Sequence, residues 1–304
     1  MKVGVIMGGI SSEREISLKS GNAVLENIDR NKYDVVKIVL DEKEDIITKV
    51  KEAKIDFALL ALHGQFGEDG TVQSVLKTLD IPYSGCNHLS SALCMDKDMA
   101  KRILKFGNVR TANWSMAKSV ETINYAEIEK MGYPVFIKPN SGGSSVATNF
   151  IKRKEDVEAA VVEALKYDTE VMIEEYIKGD EITCPIMGER LFPVVAIRPK
   201  GEFFDVVAKY SSGDDAAEEF IIELEENLHK EVEQMAFETY KLLKCSVYAR
   251  VDMIISNGVP YILEVNTLPG MTETSLFPRS VAGAGIDYTS FIDLIIEGSL
   301  KEIR

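Results

Sequence analysis

The chain has 304 residues, enough for two or three domains with ample core. Its 49 acidic residues outnumber 35 basic ones, and the resulting net charge of −14 disfavours non-specific nucleic-acid binding and attraction to anionic membranes. No apolar run approaches a membrane span, and the opening Met1–Gly9 stretch is too short and too glycine-broken for a signal peptide.

A buried first strand over Lys2–Met7 leads into Gly8-Gly9 and a helix from Glu13 to Ile28, which Ser11 or Ser12 can cap. Further strands are expected over Asp34–Leu40 and Ile55–Leu62. Strands alternating with helices imply a parallel sheet with ligands at the strands' carboxyl ends. Two loops sit at such ends, GGISSE at 8–13 and HGQFGEDG at 63–70. Gly8-Gly9 before a helix suits a phosphate but lacks the dinucleotide fingerprint, so a tight turn is the plainer reading. Taken alone, Glu13 is a carboxylate favoured by the helix macrodipole. His63, like His88 and His229, reads as a structural histidine.

Met95–Asp98 opens a helix. Tyr133–Lys138 is then a short apolar strand that ends in lysine and runs into Pro139-Asn140-Ser141-Gly142-Gly143-Ser144-Ser145-Val146. Such a loop can fold backbone N–H groups and hydroxyls over phosphates, with Lys138 as a point charge. The lysine precedes the glycines, so this is no Walker loop, and a flexible hairpin turn is the ordinary alternative. Val171–Ile177 is another strand, ending in Glu174 and Glu175, acids that would by default face water. Cys86, Cys94, Cys184 and Cys245 show neither metal spacing nor a disulfide framework and read as buried reduced thiols of a cytosolic protein.

Glu181–Met187 and Arg190–Arg198 form a hairpin pattern around Gly188, and the polar stretch from Phe203 to Asp215 is a candidate mobile loop. Glu225–Leu243 is amphipathic, with Leu228, Val232, Met235, Ala236, Tyr240 and Leu243 on one stripe, and Tyr288–Ile303 is a second such helix. Between them, residues 246–276 read SVYARVDMIISNGVPYILEVNTLPGMTETSL. Two β-rich runs flank Ser256-Asn257-Gly258, a hairpin signal. Alternation puts Arg250 and Asp252 on one face of the first strand and Glu264 and Asn266 on one face of the second. A two-residue Asn-Gly turn would set Asp252 opposite Leu263 and split the set, so a loop with an odd residue count is expected, gathering all four groups. Asp252, Glu264 and Asn266 offer oxygen ligands without His or Cys, which suits Mg²⁺ and leaves room for waters and phosphate oxygens. A solvated polar face is the alternative. Gly270 lets backbone N–H groups approach a ligand, and Ser275 with the Leu276 N–H opens a helix where an anion is favoured.

In order, Arg-Val-Asp, Leu-Glu-Val-Asn-Thr-Leu-Pro-Gly-Met-Thr and Ser-Leu closely resemble the end of the D-alanine–D-alanine ligases, a family of the ATP-grasp superfamily. Five motifs in family order carry the resemblance over essentially the full chain. It implies an α/β and α+β fold: a Rossmann-like (pre-ATP-grasp) N-terminal domain at 1–86, followed by the two ATP-grasp subdomains at 87–178 and 179–304. GGISSEREISLKSG is similar to the ligases' first substrate loop, where Glu13 would hold the ammonium of the first D-alanine, and the His-Gly loop would place His63 nearby. KPNSGGSSV resembles the glycine-rich lid, with Ala147 where many relatives have glycine. Lys97 and Lys138 match the lysines on the nucleotide phosphates. Ser144, Ser145, Glu174, Glu175, Tyr176, Ile177, Glu181, Phe203, Lys209 and Leu263 complete the implied ATP set. Ala208-Lys209-Tyr210 resembles the active-site ω-loop and implies a Tyr210–Ser144–Glu13 network. Arg250 and the Gly270 N–H would stabilise the oxyanion, Ser275 and Leu276 would hold the second carboxylate, and Asp252, Glu264 and Asn266 would bind the metal.

The resemblance implies ATP and Mg²⁺ as cofactors, two ions with Mn²⁺ able to substitute, and two molecules of D-alanine as substrates. It also implies a cytoplasmic homodimer serving peptidoglycan precursor synthesis, without nucleic-acid or membrane partners. The alternatives weighed are a ligase taking D-lactate or D-serine in the second site, another ATP-grasp carboxylate–amine ligase, and a nucleotide-binding regulatory protein. Relatives that prefer D-lactate place histidine where this chain has Tyr210, which favours the dipeptide.

Overall fold

The computed structural model describes residues 1–143, 146–198 and 218–302. The first unit is a parallel sheet of three strands, β1 (Lys2–Gly8), β2 (Asp34–Leu40) and β3 (Phe57–Leu60), in the order β2-β1-β3. Helices α1 (Arg14–Asn27), α2 (Asp45–Ala53) and α3 (Thr71–Thr78) alternate with the strands, as the sequence pattern requires. Two local expectations are corrected. Glu13 itself occupies the N-cap of α1, and Ser11 acts just before it, accepting the Glu13 N–H at 3.2 Å. The third strand is shorter at both ends than the apolar run that marks it, although the flanking Asp56 and Ala61 N–H groups still donate to Lys2 and Ile6 of β1.

Two helices, α4 (His88–Met95) and α5 (Lys97–Phe106), lead from this unit to the second sheet. Asp96 caps α5 by accepting the Met99 N–H at 3.0 Å. The second sheet is antiparallel, in the order β4-β7-β5-β6, from β4 (Trp114–Ala117), β5 (Val135–Pro139), β6 (Asn149–Ile151) and β7 (Val171–Glu175). Helices α6 (Tyr125–Met131) and α7 (Val157–Ala164) cover one face, where Val135, Ile137, Val171 and Ile173 are buried. Alternation therefore turns Phe136, Lys138 and Glu174 to the other face.

The third sheet is also antiparallel. It runs β11 (Glu218–Ile221), β10 (Val195–Arg198), β8 (Asp180–Met187), β12 (Tyr248–Ser256) and β13 (Val259–Asn266), with the short β9 (Arg190–Leu191) paired to β8. Helix α8 (Glu226–Leu242) lays Val232, Met235, Ala236 and Tyr240 on its apolar face against Ile182, Val251 and Met253, while Leu228 packs at the margin. Each fully buried aliphatic side chain in this layer contributes about 1.5–3 kcal/mol. The chain closes with α9 (Leu276–Gly283) and α10 (Tyr288–Lys301). Phe277, Val281, Phe291 and Ile295 of these helices, with Leu268 and Met271, join the core built on the first sheet. The C-terminal end of the chain is thus packed against its beginning.

All four cysteines are free and buried, and although they are dispersed in sequence, Cys94 and Cys245 come to 3.8 Å between sulfurs. Cys86 donates to the carbonyls of Ser246 and Tyr248, and the neighbouring Cys245 thiol together with burial pushes its pKa well up. A thiol-specific reagent is therefore expected to titrate none of the four in the native protein within minutes and all four after denaturation. No helix of the described residues is long and apolar enough to cross a membrane.

Candidate active site

The β12–β13 hairpin gathers its polar groups by a route other than the one its sequence suggests. Ser256 pairs with Val259, so the turn is the two-residue Asn257-Gly258, with φ of 52° and 78°. That corrects the expected odd loop: positive φ at both central residues is what a type I′ turn demands. The missing residue is supplied further along. Met253 pairs with Ile262 but Asp252 pairs with Glu264, which leaves Leu263 as the extra residue of a bulge. Arg250 faces Asn266 two pairs along, beyond Val251–Val265, and all four polar groups share the face turned away from α8.

Asp252 is the hub of that face. It is buried, and it takes a two-pronged bond from Arg250 (Nε to Oδ1 2.9 Å, Nη2 to Oδ2 2.8 Å). Asn266 Nδ2 donates to it at 2.9 Å, and Thr183 Oγ1, from the flanking strand β8, donates at 2.5 Å. Glu264 is more open, with 36% of its side chain exposed. Its carboxylate lies 3.8 Å from the Lys97 ammonium.

Lys97 links this face to the glycine-rich loop, since its Nζ also donates to the Gly142 carbonyl. Burial draws the Lys97 pKa below its ordinary value, opposed by the charge of Glu264. One helical turn on, Lys101 is 2% exposed and donates to Glu174 Oε1 at 2.5 Å and to Thr111 Oγ1 at 2.7 Å. Lys138 donates to the other oxygen of Glu174 at 2.5 Å. Glu174 is therefore no solvated strand end but a buried anion between two ammonium groups. Burial alone would raise its pKa, yet Lys101 and Lys138 overcome that and hold it at about 2.

The residues that follow on this strand and on β8 are arranged around these. Glu175 points the other way and accepts from the Asn113 side chain at 2.7 Å. Tyr176 meets Phe136 and Phe150 edge-on at 5.7 and 5.1 Å, while Ile177 follows it at the strand end. Glu181 is buried on β8, two residues before Thr183. Leu263, displaced by the bulge, lines a small cleft with Lys97, Lys101 and Glu264.

The two loops at the carboxyl ends of β1 and β3 converge from the first unit. Ser11 Oγ donates to the His63 carbonyl at 2.7 Å, tying the first loop to the His-Gly loop. A methyl group on Gly64 would lie 3.1 Å from Glu13 Oε1, and one on Gly143 only 2.5 Å from it. Glu13 thus sits against the His-Gly loop and the glycine-rich loop at once. His63 is buried, with Ser20 Oγ 3.0 Å from Nε2 and Glu68 Oε1 3.3 Å from Nδ1. Ser275 stands at the N-cap of α9, just before Leu276, and its hydroxyl accepts the Thr272 N–H at 3.1 Å. A methyl group on Gly270 would lie 2.8 Å from that hydroxyl.

Ser144, Ser145, Phe203, Lys209 and Tyr210 lie outside the described residues. Ala147, the departure noted in the lid, has a φ of 53°, a region where glycine is the easier occupant. Sequence reasoning passed over Lys101, Thr183, Phe136 and Ser20. Lys101 had a signal, since it is four residues from Lys97 and so on the same helix face. Among the described residues no three His, Cys, Asp or Glu side chains gather as a metal cluster. The hairpin set is instead two carboxylates and an amide, an all-oxygen donor set that fits Mg²⁺ when waters and phosphate oxygens complete the shell.

A parallel N-terminal unit, followed by two antiparallel sheets that turn Lys97, Lys138 and the Asp252–Glu264–Asn266 face toward one another, defines the ATP-grasp class of fold. Residues 2–52 and 43–86 match the D-ala D-ala ligase N-terminus family and residues 97–297 the D-ala D-ala ligase C-terminus family. The chain is 69% identical, over the whole of both chains, to D-alanine–D-alanine ligase A of Clostridium perfringens. It superposes with a TM-score of 0.90 on a crystal structure of the Bacillus anthracis D-alanine–D-alanine ligase complexed with ATP, at 47% identity over 99% of this chain and 98% of that one. The VanG D-Ala:D-Ser ligase of Enterococcus faecalis is 32% identical, with a TM-score of 0.84 over 98% and 99% of the two chains. The chain belongs to the D-alanine–D-alanine ligase family.

Proposed function

We propose that this protein joins two D-alanines at the expense of ATP, through D-alanyl phosphate, to supply D-alanyl-D-alanine for peptidoglycan precursors. The observation that carries the reading is a run of contacts: Glu13 lies against Gly64 of the His63 loop and Gly143 of the glycine-rich loop, and Lys97 joins Gly142 of that loop to Glu264 on the Arg250–Asp252–Asn266 face. The full-length likeness to ligases of this name supports the substrate.

A carboxylate is a poor acyl donor, so the reaction begins with attack of the first D-alanine's carboxylate oxygen on the γ-phosphorus, and ADP departs. Positioning and charge neutralisation carry such a transfer. Lys97 and Lys138 serve the phosphates, with Lys209, Ser144 and Ser145 of the closing loops. Asp252, Glu264 and Asn266 would hold Mg²⁺, which when bound would neutralise phosphate charge. Glu174, Glu175, Tyr176, Ile177, Glu181, Phe203 and Leu263 surround the nucleoside. Glu13 binds the first ammonium, linked to Ser144 and Tyr210, and His63 lies beside it. The second D-alanine attacks the acyl carbon through its neutral amine. Arg250 and the Gly270 N–H stabilise the oxyanion before phosphate leaves, and Ser275 with the Leu276 N–H holds the second carboxylate. Closure of the lid keeps water from the acyl phosphate.

The reading includes two Mg²⁺ ions, replaceable by Mn²⁺, a cytoplasmic homodimer, and the division at 1–86, 87–178 and 179–304. Phosphate release and product mass are to be measured with ATP, Mg²⁺ and D-alanine, L-alanine, D-serine, or D-alanine plus D-lactate. Turnover with D-alanine alone, giving the dipeptide, is expected. D-serine is in the panel because VanG is a relative. Silence with D-alanine but turnover with another acid and amine would keep the chemistry and replace the substrate. ATP binding with silence throughout would favour a regulatory role.

A further inference from the structure

We propose that Ser20 and Tyr288 are positioning residues for amide formation, holding the turn after Gly270 in register and coupling it to the first-substrate side through His63. This rests on the ligase reading above, in which the Gly270 N–H serves the second half of the reaction.

Two hydroxyls grip the Met271 backbone from opposite sides. The Met271 N–H donates to Ser20 Oγ at 3.3 Å, and the Met271 carbonyl accepts from the Tyr288 hydroxyl. Ser20 belongs to α1 and Tyr288 opens α10, so elements from the two ends of the chain meet on one residue of the turn. The Met271–Thr272 peptide is held at both its polar atoms, since the Thr272 N–H donates to Ser275 Oγ at 3.1 Å. Two consecutive peptide planes beyond Gly270 are therefore oriented. Ser20 is fully buried, and burial pushes the Tyr288 phenol pKa up, so it remains a donor across the working range.

The bonds beyond Ser20 have a direction. Glu68 Oε1 lies 3.3 Å from His63 Nδ1, and the tautomer that gives this carboxylate oxygen a donor is the one with the ring proton on Nδ1. Nε2 is then an acceptor, and the Ser20 hydroxyl, 3.0 Å away, donates to it. Ser20 Oγ in turn accepts the Met271 N–H. From Met271 to Glu68 every donor points the same way, an arrangement in which each bond polarises the next. His63 is the residue assigned beside the first D-alanine. One chain of groups therefore touches both substrate sides, and neither Ser20 nor Tyr288 needs to touch substrate to act.

Ser20→Ala and Tyr288→Phe are tested beside wild type by rapid quench, with ADP and dipeptide followed in the same samples. The phenylalanine keeps the ring that packs edge-on against Phe291 at 6.1 Å, so this variant retains the fold. ADP formation is expected within about two-fold of wild type and the KM for ATP unchanged. Dipeptide formation should fall by roughly ten-fold or more, so that ADP appears ahead of dipeptide as acyl phosphate accumulates. Proportional loss of both products would mark a structural role and overturn the proposal, as would no loss of either. Absence of dipeptide from the wild-type control would instead overturn the ligase reading, and the inference with it.

Discussion

Glu264→Gln is expected to lower turnover by about two to three orders of magnitude, equivalent to roughly 3–4 kcal/mol of barrier, while the protein stays folded. The glutamine is isosteric but carries no charge, so the oxygen set of the hairpin loses one of its two anions. The variant should not lose much stability. Glu264 is 36% exposed in its side chain, and its one ion pair among the described residues, with Lys97, is long at 3.8 Å. Surface changes of this kind usually stay within about 0.5 kcal/mol. Steady-state kinetics over a range of Mg²⁺ concentrations, paired with thermal unfolding, checks both halves. Activity within a few-fold of wild type at every Mg²⁺ concentration would remove the metal role from Glu264.

Glu174→Gln should act the opposite way, through stability first. Lys101 is 2% exposed and its main partner is Glu174, so the substitution leaves a buried ammonium without its counter-charge. Breaking such a pair from one side commonly costs about 3–5 kcal/mol, because the remaining charge stays desolvated. Lys138 is released at the same time, so nucleotide affinity should change along with stability. The pH dependence follows from the carboxylate, whose pKa the two lysines hold at about 2 against an ordinary value of 4.5. A group depressed in the folded state stabilises fully above its unfolded pKa and loses that contribution as pH falls through the folded one. Wild-type stability should therefore decline between pH 4.5 and 2 in a part that E174Q lacks. Urea unfolding of both proteins across that window measures the difference. Parallel curves would show that Glu174 is not the group responsible.

These two acids also show what a sequence can and cannot disclose here. Glu264 is legible because its role is local: strand alternation and the neighbouring Asn266 declare a polar face. Glu174 looks like an ordinary strand end, since the lysines that bury it come from α5 and β5, and no local pattern announces that meeting. The strand Asp34–Leu40 and the apolar stripe of α8 were readable for the same reason that Glu264 was, namely period and composition. The bulge at Leu263 was not, because an extra residue in a strand leaves no compositional mark. The right faces were inferred, but from the wrong turn. Ser20 and Tyr288 are farther still from legibility, because a serine in one helix and a tyrosine in another reveal their shared partner only once both ends of the chain are in place.

The bulge has one more implication. The tip end of β13 takes its phase from Asn257-Gly258, whereas its other end, from Glu264 on, follows a second phase, while β12 keeps one register with β8 throughout, Thr183 opposite Asp252. The two phases are half a period out of step, and Leu263 is where the difference is discharged. The hairpin is in this sense two short ladders spliced at a single residue. An insertion or loss at the tip can be taken up at the splice without moving Asp252 or Glu264. The splice, however, is also a wall of the cleft that holds Lys97 and Lys101. Drift in the length of a remote turn would therefore be felt first in the shape of that cleft, before any of the charged groups moved.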